Sequence, residues 1–172
     1  MEISSPFYLD ILKSLNNHQV KYVLVGGLAV SYYGYSRYTG DMDLWVKPEE
    51  KNMENLYSTL IDLGYPHEIV NEIKMKREIE NPIPIKLKDD NNFLKVDLLT
   101  NTFQNEFSWQ QCFDKAEIII LDDLEIPVVH INQLISMKES SKRLDNSLKD
   151  QVDAQELRKI KKLRDQQKGY KK

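Results

Sequence analysis

Apolar positions along this chain follow two rhythms. Phe7, Ile11, Leu12 and Leu15 recur at three- and four-residue intervals, the spacing of one face of a helix. Ser4 or Ser5 can cap that helix, Pro6 suits its first turn, and Asn16-Asn17 stops it. Residues 20–25 (VKYVLV) are nearly all apolar, as a buried strand requires. Gly26-Gly27 then turns the chain, residues 28–33 predict a short helix, and Gly34 can end it in the left-handed conformation. Residues 35–40 read as a loop and residues 41–46 (DMDLWV) as a second strand. After Lys47-Pro48 the helical period returns in Met53, Leu56, Tyr57, Leu60, Ile61 and Leu63, closed by Gly64.

The second half is less regular. Residues 65–84 carry Ile69, Ile73 and Met75 but predict no definite element. Residues 83–87 and 93–99 read as strands joined by the polar turn Asp89-Asp90-Asn91-Asn92. Residues 103–113 mix aromatic and polar positions, as in a short helix, and residues 117–121 read as a strand. A turn at Asp122-Asp123 leads to a short strand over 126–129, whose Pro127 predicts an edge position. Asn132 can cap a helix reaching about Arg143, and a last helix is predicted over about 148–163 with Val152, Leu157 and Ile160 on one face. Strands first and helices last predict an α+β fold: a mixed-sheet core over 1–130, C-terminal helices over 131–163 packed on it, and a basic flexible tail over 164–172.

The 172 residues, 41% hydrophobic and 30% charged, suffice for one compact core. No apolar run approaches the ~20 residues of a membrane span, and the acidic opening MEISSPFYLD does not resemble a signal peptide. Cys112 is the single cysteine, so no internal disulfide is possible; a half-buried thiol and a cytoplasmic location are expected. The net charge of −3 conceals an asymmetry: residues 138–172 carry twelve basic and six acidic residues, the remainder twelve and twenty-one. The basic end reads either as a solvated helix with a frayed lysine tail or as a phosphate- or nucleic-acid-attracting segment.

Asp41 and Asp43, two apart on a strand, project to one face while Met42 and Leu44 project to the other. Adjacent carboxylates repel unless a cation lies between them, and their apolar setting makes leaving them unpaired costly. The Gly-Gly turn admits close backbone approach, and the N–H groups opening the next helix form an anion site. Asp97 interrupts another apolar strand, FLKVDLL. Three converging carboxylates make the oxygen-rich site that magnesium prefers, and a phosphate cradle beside it is what phosphoryl chemistry on a nucleotide needs.

Taken together, Gly26-Gly27-x-Ala29, Tyr33-Gly34 and Arg37-x-Thr39-x-Asp41-x-Asp43 resemble the nucleotidyltransferases of the DNA polymerase β superfamily. The closest branch includes abortive-infection toxin-like enzymes and lincosamide-type resistance adenylyltransferases. The resemblance runs from Val20 to about Leu157 and takes in Asp97, Lys138, Lys149-Asp150 and Asp153; its specific part is Gly26 to Asp43. Where many members have Gly-Ser at the turn, this chain has Gly-Gly followed by Leu28, which removes one hydroxyl contact to phosphate. The resemblance implies two Mg²⁺ ions on Asp41 and Asp43, with Asp97 completing the second site and helping to activate an acceptor hydroxyl. It implies an NTP donor, ATP by default, with Gly26 and Gly27 on the phosphates and pyrophosphate as the leaving group. Arg37 and Thr39 would contact the triphosphate or the acceptor, although a structural ion pair serves Arg37 equally well. Lys138 could reach phosphate or lie on a solvated helix face. Tyr32, Tyr33, Tyr35 and Tyr38 could stack a base or anchor loops.

Residues His18, His67 and His130 show no zinc spacing, and the motifs of P-loop ATPases and serine hydrolases do not occur. The acceptor, whether small molecule, RNA or protein, has no recognisable code in the chain. Two further classes stand beside the enzyme: a non-catalytic nucleotide-binding regulator, such as one half of a toxin–antitoxin pair with an antitoxin-type protein partner, and a nucleic-acid-binding protein using the basic end.

Overall fold

A computed structural model describes residues 2–79, 84–89, 93–100, 107–140 and 147–169. After a single 3₁₀ turn at Glu2–Ser4, helix α1 (Pro6–Asn17) opens as its sequence dictates. The Ser5 hydroxyl accepts from the Tyr8 N–H at 3.4 Å, Pro6 lies in the first turn, and Tyr8, Ile11, Leu12 and Leu15 are buried. Strand β1 (Tyr22–Val25) is buried at every position. Helix α2 (Gly26–Tyr33) follows with no intervening residue, so the glycine pair is its first turn rather than a turn before it. Gly34 ends α2 at φ +114, the left-handed cap expected of it.

Strand β2 (Asp41–Val46) coincides with its predicted span, and helix α3 (Glu50–Asp62) carries Met53, Leu56, Tyr57 and Leu60 into the core. Also buried on α3 is Asn52, whose side chain accepts from the Lys21 N–H at 2.7 Å and donates to the Lys21 and Lys47 carbonyls at 3.0 Å each. Three backbone groups that flank β1 and β2 are thereby satisfied.

Helix α4 (His67–Ile79) occupies the stretch for which the sequence predicted no element. Its exposed Ile69 and Met75 explain the silence, since the apolar residues do not trace one buried face. Strands β3 (Ile85–Lys88) and β4 (Lys95–Leu99), helix α5 (Trp109–Phe113), strands β5 (Glu117–Leu121) and β6 (Leu124–Val128), and helices α6 (Ile131–Glu139) and α7 (Ser147–Gly169) complete the chain. Part of the β3–β4 turn and residues 101–106 of the stretch before α5 lie outside the described residues.

The six strands form one mixed sheet in the order β3-β4-β2-β1-β6-β5. Pairing is antiparallel between β1 and β2, β3 and β4, and β5 and β6, and parallel between β2 and β4 and between β1 and β6. This is the α+β architecture with a mixed sheet that the element order predicted.

Four sequence expectations change. Pro127 is not on an edge strand: β6 lies between β1 and β5. The proline is tolerated because the parallel pairing with β1 registers only at Leu24 and Val128, beyond it. Helix α6 is capped by His130, whose Nδ1 accepts from the Asn132 N–H at 3.3 Å, and it ends at Glu139 rather than near Arg143. Helix α7 does not stop at Leu163. It continues to Gly169, and Arg164, assigned to a flexible tail, reaches β5: its two Nη atoms bond the Glu117 carboxylate at 3.2 and 2.9 Å. Finally, the buried face of α7 is Asp150, Asp153, Ala154 and Leu157, while Val152 is exposed.

Candidate active site

The site is built where β1 gives way to α2. Gly26 has φ +67, a conformation that an L side chain adopts only under strain, and a Cβ at this position would overlap the Asp43 carboxylate of β2. At Gly27 a Cβ would lie 2.9 Å from Arg37 Nη2 and 2.9 Å from Thr39 Oγ1. The bare backbone of the glycine pair is therefore the floor on which Asp43, Arg37 and Thr39 converge. Five residues singled out in the sequence meet at this one place.

The third strand joins through sheet register. In the parallel β2–β4 pair, Asp43 is the direct partner of Asp97 and Asp41 the direct partner of Lys95. Paired residues share a sheet face, so the three carboxylates lie on one side, with Met42, Leu44, Val96 and Leu98 buried on the other. Asp97 is 20% exposed, and its Oδ1 is buried without a hydrogen-bond partner. Its Oδ2 lies 3.9 Å from the Lys86 ammonium, and Asp41 Oδ1 lies 4.0 Å from that of Lys95. Among the described residues, no three side chains of the metal-ligating types are gathered closely enough to hold an ion between them. The carboxylates form a row along two strands, with a lysine near Asp41 and another near Asp97.

Arg37 and Lys138 meet at a residue for which the sequence reading assigned no role. Asp153 of α7, 1% exposed, pairs with Arg37: Nη2 donates to Oδ2 at 3.0 Å, and Nε lies 2.8 Å from Oδ1. Lys138 of α6 reaches the same Oδ2 at 2.9 Å and Asp150 Oδ1 at 2.7 Å. The ion pair weighed for Arg37 thus exists, and the same guanidinium also lies over Gly27. Lys138 contacts the site through this network rather than from a solvated face. The signal for Asp153 was available: acids at 150 and 153 stand in helical register with Leu157 and so interrupt a buried stripe.

The tyrosines divide by role. Tyr33 is buried, donates its hydroxyl to the Val129 carbonyl at 2.8 Å, and lies under the Arg164 guanidinium, 5.1 Å from its ring. Burial pushes its pKa well above the ordinary tyrosine value. Tyr32 bonds Glu117 at 3.3 Å. Burial alone would raise the Glu117 pKa, but hydrogen bonds and charge from Arg164 overcome it and hold the carboxyl below its usual range. Tyr38, by contrast, is 77% exposed on the loop that leads into β2.

The family described as "nucleotidyl transferase of unknown function (DUF2204)" matches residues 5–170. The chain belongs to that family. This nucleotidyl transferase is also similar to a solved structure, an antigenic nucleotidyltransferase-like protein from Paracoccidioides brasiliensis, at 15% identity and a TM-score of 0.45, over 84% of this chain and 71% of that one. No curated relative matches it significantly. No helix among the described residues is long and apolar enough to cross a membrane.

Proposed function

We propose that this nucleotidyl transferase moves a nucleoside monophosphate from an NTP, ATP being favoured, to a hydroxyl of an acceptor, with release of pyrophosphate. The observation that carries this reading is the convergence of Asp43, Arg37 and Thr39 on the Gly26-Gly27 backbone, beside a carboxylate registered from a neighbouring strand. The N–H groups opening α2 and the Arg37 guanidinium suit the triphosphate, because both offer donors to anionic oxygens at the glycine floor. Lys138 would support that end of the nucleotide through the charge network it shares with Arg37.

The donor chemistry suits magnesium, although the three carboxylates are not gathered around one point: Asp41, Asp43 and Asp97 are all hard oxygen ligands on one sheet face, and Asp97 keeps an unpartnered buried oxygen. Two Mg²⁺ ions held by these carboxylates would supply charge neutralisation at the triphosphate and at the acceptor oxygen. In the proposed reaction the acceptor oxygen attacks the α-phosphorus, a new P–O bond forms, and the α–β bridging bond breaks with its electrons leaving on pyrophosphate. Asp97, reaching the site from β4, accepts the acceptor's proton. Arg37 fixes the phosphates for in-line attack. The lone, buried Cys112 suits a reducing cytoplasm as the place of this reaction.

Titration of each NTP with and without Mg²⁺ tests this reading. Binding that requires Mg²⁺ and disappears in D41N/D43N supports it. Binding indifferent to both metal and substitution overturns it and leaves the regulatory alternative, for which a protein partner would be sought.

A further inference from the structure

The carboxylates are not alone on their sheet face. Register places Lys86 beside Asp97 and Lys88 beside Lys95 in the antiparallel β3–β4 pair, and Lys95 beside Asp41 in the β4–β2 pair. Lys86, Lys88 and Lys95 therefore share the face of Asp41, Asp43 and Asp97 and extend it to the open β3 edge of the sheet. Lys86 and Lys95 already touch the acids, 3.9 Å from Asp97 and 4.0 Å from Asp41, with side chains 57% and 41% exposed. Two exposed aromatic residues stand where the chain enters the two acid-bearing strands: Tyr38 (77%) before β2 and Phe93 (74%) before β4. The Tyr38 hydroxyl and the Phe93 backbone carbonyl both lie beside Gly40, where a Cβ would be 3.5 Å from the first and 2.9 Å from the second.

We infer that this face receives the acceptor, and that the acceptor is the hydroxyl end of a single-stranded nucleic acid. The inference rests on the proposed transferase reading and names its substrate class. A file of ammonium groups over two strands suits a repeating phosphate backbone better than one compact anion. Exposed aromatic rings at the mouth of the site offer the stacking surface that unpaired bases use in any sequence. The charges also explain the order of events. Without metal, the three lysines and three aspartates neutralise each other. Divalent ions held by the carboxylates would free the ammonium groups and leave the face positive, which would favour nucleic acid binding after metal. The terminal hydroxyl then attacks the α-phosphorus: a phosphodiester forms, the α–β bridging bond breaks, pyrophosphate leaves, and the proton passes to Asp97.

The test is anisotropy of a labelled eight-nucleotide single-stranded RNA with the full chain, across 50–200 mM salt, with and without Mg²⁺, beside a separate Mg²⁺–ATP titration. The expected result is RNA binding strengthened by Mg²⁺ and weakened by salt. In K86E/K88E/K95E the slope of log K against log salt should be shallower by about 2 or more, given about 0.7 per phosphate contact on single strands. Tyr38→Ala and Phe93→Ala should each weaken RNA binding about fivefold or more, with little change in that slope. Mg²⁺–ATP binding should persist in Tyr38→Ala and Phe93→Ala, and circular dichroism reports that the lysine variant is folded. RNA affinity that is absent, or unchanged in the lysine variant, while Mg²⁺–ATP binding persists overturns the inference and spares the transferase reading. Inorganic phosphate displacing the RNA at equal concentrations of phosphate groups would likewise overturn it, in favour of a small phosphorylated acceptor. Loss of Mg²⁺–ATP binding from the wild type would instead remove the transferase reading itself.

Discussion

At Gly26 a single missing methylene group decides whether a carboxylate can stand against the backbone. The Gly26→Ala substitution meets two penalties: a positive φ costing about 1–2 kcal/mol and overlap with Asp43. The expected outcome is a lower melting temperature together with loss of Mg²⁺-dependent nucleotide binding. Gly27→Ala is milder, because Gly27 has no positive φ and the added methyl meets side chains, Arg37 Nη2 and Thr39 Oγ1 at 2.9 Å and Thr39 Cβ at 3.1 Å; the fold should hold while nucleotide affinity falls about tenfold or more. Cys112 makes the opposite prediction. It is fully buried, and burial pushes its thiol up to about 11, so a disulfide reagent at pH 8 should label it only on unfolding. At this scale the residues of the candidate site were legible, since Asp43 and Asp97 interrupt apolar strands, Asp41 opens the first of them two residues before Asp43, and a Gly-Gly pair precedes it by one short helix. Asp153 was noticed without a role, because the two cations that define that role come from residues 116 and 15 positions away.

Among the elements, α7 holds the site from outside the sheet. Asp153 pairs with both Arg37 and Lys138 from a position 1% exposed, so Asp153→Ala leaves the part-buried Arg37 without its carboxylate and Lys138 with Asp150 alone, and should cost about 3 kcal/mol. Asp153→Asn should keep more of the fold and still weaken nucleotide binding, measured by titration, because Arg37 loses the ion pair that holds it over Gly27. Further along the helix, Arg164 clasps Glu117. The Glu117 pKa is lowered in the folded protein, so its contribution to stability is present above the unfolded carboxyl value of about 4.3 and is lost as pH falls through the lower folded value. In Glu117→Gln, the wild type's extra loss of stability below about pH 4 should disappear, as acid unfolding curves of the two would show. Strands β1 and β2 were legible because burial wrote them as short apolar runs, and β5 because its isoleucine run favours a strand although only Ile119 is buried. Helix α4 was not, because its exposed faces carry scattered apolar residues. The edge assignment for β6 failed because proline excludes a ladder bond, not a place inside the sheet, and the β1–β6 ladder passes beyond it.

Over the whole molecule, the sheet order converts sequence distance into adjacency. Asp43 and Asp97 are 54 residues apart and become direct register partners because β4 runs parallel beside β2. Local pattern cannot supply that pairing: a one-residue slip would turn Asp97 to the buried face, and what prevents it is the apolar alternation of Val96 and Leu98. The same order makes β3 the open edge and carries Lys86 and Lys88 onto the acid face, which no inspection of the separate strands reveals. Charge asymmetry along the sequence drew attention to the C-terminus, whereas the fold places lysines from its acidic half beside the carboxylates.

The most direct test of the central claim is calorimetric titration of ATP, GTP, CTP and UTP into wild type and D41N/D43N, with and without Mg²⁺. At least one nucleotide should bind the wild type only with Mg²⁺ and fail to bind the double variant, whose fold is checked by its melting temperature. Equal affinity in both proteins, or binding independent of the metal, would contradict the assignment of Asp41 and Asp43 to a metal–nucleotide site.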